Sequence, residues 1–217
     1  MKKFFSTSIL LIAMLLLTFS TAYAQETKKD SVYNDLKLLE EQYGVTFFEL
    51  NTSEYDKGSL LKFDSMEDFE GFVEELKQED ENKDKDINIE VTTKTKEDLV
   101  SIADYNDCYT ITWWSPFAGG LTGLACWKNV SFNYTYKFVN DKSQFTSVSN
   151  IDSYLSGINI VTWSQTTNGS YNITTNQSTN DQAKIKVQGR YILGIEYNGL
   201  PIGAVIPGEW NCSLTLT

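Results

Sequence analysis

The chain has 217 residues, a formal net charge of −11 and no histidine. The missing histidine excludes Ser-His-Asp and Cys-His mechanisms and most zinc sites. The acid excess, without any basic and aromatic cluster, argues against nucleic acid as a partner.

Lys2 and Lys3 precede an unbroken apolar run from Ile9 to Leu17, and Ala22 and Ala24 hold the small-residue positions of a signal-peptidase site. Residues 1–24 are therefore expected to be a signal peptide cleaved after Ala24, leaving a secreted, soluble protein. The apolar run is shorter than the ~20 residues a spanning helix needs. No second such run follows, so no stable membrane insertion is expected. No cysteine stands near the cleavage point, which disfavours a lipid anchor. The low arginine content and Asn/Lys/Ile-rich usage fit a bacterial chain, where the seven N-x-[ST] sequons are only a β-type composition.

Charge divides what remains. Residues 25–107 hold 24 acidic and 10 basic side chains, a net of −14, whereas residues 108–217 hold 5 and 6, a net of +1. Such a boundary commonly separates structural units. In the acidic half, Ser31 caps an expected helix with Val32, Leu36, Leu39 and Tyr43 on one face and Gly44 as its stop. Val45–Leu50 and Ser59–Phe63 read as strands joined by the turn "SEYDKG". Ser65 and Asp68 have capping-box spacing, and Met66, Phe69, Phe72, Val73 and Leu76 form the apolar face of a second helix. Residues 25–79 are thus expected to form a small acidic α+β module.

Residues 80–107 read as a charged linker. Asp80, Asn82, Asp84 and Asp86 alternate like the first ligands of a calcium loop. However, Lys85 stands where that loop needs glycine and Val91 where it needs a bidentate glutamate. No metal site and no cofactor are expected.

Residues 108–217 are expected to form an all-β antiparallel sandwich or small barrel of seven or eight short strands. Val130, Phe132, Tyr134, Tyr136 and Phe138 alternate with polar residues and are assigned to the core. Asn168-Gly169 and Asn198-Gly199 are type I′ hairpin signals. Trp113 and Trp114 are consecutive and must point to opposite faces. Together with Phe117 they are the candidate exposed aromatics of a ligand site. Three cysteines in a secreted chain suggest one disulfide. Cys108–Cys126 is the expected pair, closing a hairpin around the loop that starts at Ser115, and Cys126–Cys212 is its rival. The first pairing conflicts with strand parity unless a bulge in "GGLTG" corrects it.

Catalysis has little to work with. Ser59 and Lys62 have S-x-x-K spacing but lie in a strand, where they point apart. A carboxylate-pair hydrolase could draw on Asp141, Asp152, Asp181, Glu196 or Glu209, with no spacing that singles out two. The leading expectation is a non-catalytic binding protein whose ligand is a cell-envelope glycan or a protein partner. The alternatives are that hydrolase, or a pore-forming toxin using the amphipathic strands between Ser143 and Thr179.

Overall fold

The computed structural model describes residues 32–50, 60–81, 87–93, 104–116, 125–140, 142–175 and 181–217. In it an α+β N-terminal part leads into an antiparallel β-sandwich. Helix α1 (32–43) buries Val32, Leu36 and Leu39. It stops at Gly44, whose φ of +66° and N–H bond to the Glu40 carbonyl form a left-handed C-terminal cap. Strands β1 (Thr46–Glu49) and β2 (Leu61–Phe63) follow, then helix α2 (Met66–Glu81). Ser65 and Asp68 close the expected capping box at the start of α2. The Ser65 backbone N–H donates to Asp68 Oδ2, and the Asp68 N–H donates to Ser65 Oγ.

The remaining elements are β3 (Ile87–Val91), β4 (Tyr105–Trp114), β5 (Cys126–Val139), β6 (Lys142–Gly157), β7 (Thr162–Gln165), β8 (Ser170–Thr174), β9 (Gln182–Tyr197) and β10 (Leu200–Leu216). Among the described residues they form a seven-stranded sheet with β1 and β2, and a three-stranded sheet β4-β5-β6. The larger sheet is organised around one long hairpin, β9–β10, paired from Tyr197↔Leu200 to Gln182↔Thr215. Its turn is Asn198-Gly199, with φ of +54° and +80°, as the sequence signal requires. Short strands fill both outer edges, β1 and β3 along β10 and β2, β7 and β8 along β9.

Two expectations change here. The strands of residues 108–217 are not all short: Gln182–Tyr197 is a single sixteen-residue strand, because Gly189 lies opposite Gly208 and the ladder runs straight through both. Pro207 is tolerated inside β10 because it falls between the stretches reached by β1 and β3. Asn168-Gly169 is not a hairpin turn either. Strands β7 and β8 run in the same direction along β9, so the dipeptide interrupts one edge run. Gly169 is required by close approach instead: a Cβ there would lie 2.4 Å from Ile151 Cγ2.

The acidic half does not close on itself. β1 and β2 pair with β10 and β9, not with each other, and β3 lies within the stretch expected to be a linker. Residues 82–86 and 94–103 of that stretch, and the turn between β1 and β2, lie outside the described residues. Buried side chains of α1, α2 and both sheets belong to one apolar cluster. α2 and the three-stranded sheet therefore share the same core with the long hairpin, and they meet where α2 ends.

Gly169→Ala should destabilise the protein by about 1–3 kcal/mol through overpacking. In chemical denaturation, Ile151→Ala in the same chain should recover part of that loss. An additive double mutant would show that the two residues do not compete for space.

Candidate functional site

Strand β5 turns its even-numbered residues inward: Cys126, Val130, Phe132, Tyr134 and Tyr136 are all buried. Lys128 obeys the same parity and is 1% exposed. Helix α2 supplies its partners. Phe69, Val73 and Leu76 form its buried stripe, and three and four residues beyond Leu76 that stripe reaches Glu79 and Asp80. Lys128 Nζ lies 2.6 Å from Glu79 Oε1 and 2.7 Å from Asp80 Oδ1.

The larger sheet provides the floor. The Tyr191 hydroxyl donates to Asp80 Oδ1 at 2.7 Å, and Trp210 Nε1–H donates to the Tyr191 hydroxyl at 2.7 Å. The Glu209 N–H donates to Asp80 Oδ2 at 3.3 Å, and the Ser115 hydroxyl donates to Glu79 Oε1. The Lys128 ammonium also sits over the rings of Tyr191 and Trp210, 5.9 and 5.6 Å from their centroids. Trp163 stacks on Trp210 at 4.0 Å and 16°. Gly208 leaves room for the carboxylate, since a Cβ there would come within 2.6 Å of Asp80 Oδ2. Burial raises the Asp80 carboxyl above its ordinary range despite the opposing pull of Lys128 and Tyr191. Burial, with Asp80 adding to it, pushes the Tyr191 phenol up as well.

Above this cluster opens a cleft of about 770 Å³. Its lining includes Trp113 and Trp114 from β4, Tyr171 from β8 and Glu209 from β10. Trp113 is half-buried and meets Trp210 edge-on, with ring centroids 5.8 Å apart at 78°. Trp114 is 52% exposed and Tyr171 45%. The two expected tryptophans thus border the same cleft while pointing to opposite sides of β4. Phe117 lies outside the described residues. Glu209 is bound by Lys186 at 2.6 Å. Partial burial works to raise its carboxyl, but hydrogen bonds from Lys186, Gln188 and Asn211 outweigh that and hold it below its usual range.

The other carboxylates considered from sequence do not join this site. Glu196 stands beside the β9–β10 turn, 3.7 Å from Lys62. Asp181 is buried and accepts the Phe145 N–H, and Asp152 accepts the Ser153 N–H. Asp141 lies outside the described residues.

The cysteine expectation needs correcting. Cys108, Cys126 and Cys212 are all free thiols. Cys108 is opposite Asn133 in the ladder, whereas Cys126 lies one position beyond the Trp114–Trp127 pair. Cys108 is exposed and Cys126 buried, so the two occupy different faces and are separated along the hairpin by roughly 20 Å. Cys126 Sγ–H donates to Asn159 Oδ1 instead. Burial pushes the Cys126 thiol up to about 11, with Glu79 adding to it, and burial takes the Cys212 thiol to about 12.

Sequence reasoning passed over Lys128 and Glu79 and weighed Asp80 only as the first position of an incomplete calcium loop, although the signal of all three was present. Each places a charge in register with an apolar pattern. The sequence matches no protein-family model and no curated protein, and the fold matches no solved structure.

Lys128→Met should cost about 3–5 kcal/mol in urea denaturation, because it leaves two largely shielded carboxylates, 12% and 6% exposed, without their cation. Lys186→Met, at the exposed rim, should cost no more than about 1 kcal/mol. Equal losses would show that the buried cluster carries no special weight. With a thiol reagent, Cys108 should react in the native protein, while Cys126 and Cys212 should react only after unfolding.

Proposed function

We propose that the protein is a secreted, non-catalytic binding protein that holds a cell-envelope glycan in the cleft bordered by Trp113 and Trp114. The observation that carries this reading is the exposed side chain of Trp114 on a cleft of about 770 Å³ whose lining also includes the exposed Tyr171. That volume falls within the range of small-ligand sites. Aromatic faces beside polar side chains suit a sugar ring, which has an apolar face and a hydroxyl rim. A glycan is favoured over a folded protein partner because the aromatics line a concavity rather than a flat patch.

The binding reading is favoured over hydrolysis because the cleft carboxylates are already engaged. Asp80 and Glu79 are paired with Lys128, and Glu209 with Lys186. Secretion rests on the basic start, the apolar run and the Ala22/Ala24 pattern. Among the described residues no helix is long and apolar enough to cross a membrane.

Tryptophan emission titrated against a panel of envelope polysaccharides should shift for at least one of them. Trp114→Ala should weaken that binding at least tenfold, about 1.4 kcal/mol, whereas Phe48→Ala, at an exposed aromatic of β1 that does not line the cleft, should not. No response to any glycan would sink the reading, as would an unaltered affinity in Trp114→Ala.

A further inference from the structure

The seam between α2 and β5 holds one primary amine against two carboxyl groups, almost entirely out of water. Lys128 is 1% exposed, Asp80 6% and Glu79 12%. We propose that Lys128 and Asp80 join in an intramolecular isopeptide bond, with Glu79 as the proton-transferring group. The same three groups line the floor of the cleft, and the proposal does not depend on what the cleft holds.

Distance and environment both favour the reaction. Lys128 Nζ is 2.7 Å from Asp80 Oδ1, and the carbon to be attacked is one bond beyond that oxygen. Held groups of this kind react as though at very high concentration, provided the nucleophile comes within roughly 3–3.5 Å. A setting almost out of water favours a neutral carboxylic acid over a carboxylate. Burial already biases Asp80 in that direction. A structural ion pair would need only one carboxylate. The second, Glu79, contacts the same nitrogen at 2.6 Å, where a proton acceptor is required.

The step balances without any oxidant or co-reactant. The neutral Lys128 amine attacks Asp80 Cγ and forms the C–N bond. Glu79 takes a proton from that nitrogen and passes it to the departing oxygen. The C–O bond breaks, one water leaves, and Glu79 returns to its starting state. Charge that develops on the carboxyl oxygens meets two donors already in place, the Tyr191 hydroxyl on Oδ1 and the Glu209 N–H on Oδ2. The product is a neutral amide facing the rings of Tyr191 and Trp210, which replaces a buried ion pair. It joins residues 48 apart in sequence and ties α2 to β5, in a protein whose cysteines provide no cross-link.

The test is intact mass together with a peptide map of the full chain after unfolding. The wild-type protein should be lighter than its sequence by one water, and Lys128→Arg should not. Trypsin should fail to cut after Lys128 and should release a branched peptide joining the Asp80 and Lys128 segments. Glu79→Gln keeps both reacting groups and should return the chain to its full mass with Lys128 cleavable. A wild-type protein at full mass with a cleavable Lys128 would overturn the bond. A water loss that persists in Lys128→Arg would also overturn it, by assigning the loss elsewhere. Persistence of the branched peptide in Glu79→Gln would remove Glu79 from the step. The wild-type map needs no variant to fold, so it decides the question of the bond alone.

Discussion

Lys128 brings an ammonium group to a place where its side chain is 1% exposed, and the arrangement of three elements follows from satisfying it. An ion in that position costs several kcal/mol in effective desolvation even after relaxation, and only close, hydrogen-bonded partners offset this. The partners are supplied from outside its own sheet. Asp80 and Glu79 come from the end of α2, and the aromatic floor comes from β9 and β10. The end of α2, the start of β5 and the Gly189–Gly208 region of the hairpin are thereby fixed against one another. A purely apolar seam would tolerate sliding, whereas an amine held by two carboxylates and two rings has one good position.

The same contact answers a problem of helix chemistry. α2 ends in Glu79, Asp80 and Glu81 and has no basic residue in its last turn. Carboxylates at a helix C-terminus oppose the macrodipole, which favours cations there. Lys128 is the cation, delivered by a strand rather than by the helix. The acid excess of residues 25–107 is therefore more than a solvated coat, because two of its carboxylates hold a buried lysine at the edge of the core. This accounts for how a strongly charged segment and a near-neutral one share a single apolar cluster.

Much of the local structure was legible because local rules act alone there. The capping box at Ser65, the left-handed stop at Gly44 and the turn at Asn198-Gly199 each depend on a few neighbouring residues. Asn168-Gly169 carries the same signal as Asn198-Gly199 and fails. β9 offers a sixteen-residue edge that takes β7 and β8 in one direction, and Ile151 needs the space that Gly169 leaves empty. Tertiary demand overrides the turn code in that case. The pairing of β1 and β2 with β10 and β9 was likewise invisible, since nothing within either strand names a partner so distant in sequence. The tryptophans of the cleft were found by parity. The lysine beneath them was missed although it puts a charge at an inward position of β5 in plain view.

The register of the β4–β5 hairpin ties these observations together. Trp113 lies directly opposite Lys128, and Trp114 opposite Trp127. The inward tryptophan that borders the cleft is therefore the cross-strand neighbour of the buried amine, and it also rests edge-on against Trp210 beneath that amine. Whatever fixes Lys128 also fixes the Trp113 side of the cleft. The hairpin does not need a Cys108–Cys126 bridge to hold its shape, because it is anchored from below through Lys128 to α2. A one-residue slip of β5 would turn Lys128 outward and put Trp127 or Asn129 into the carboxylate pocket. Neither could neutralise Glu79 and Asp80, so the charge cluster sets the strand register as firmly as the aromatic ladder of Phe132, Tyr134 and Tyr136 does.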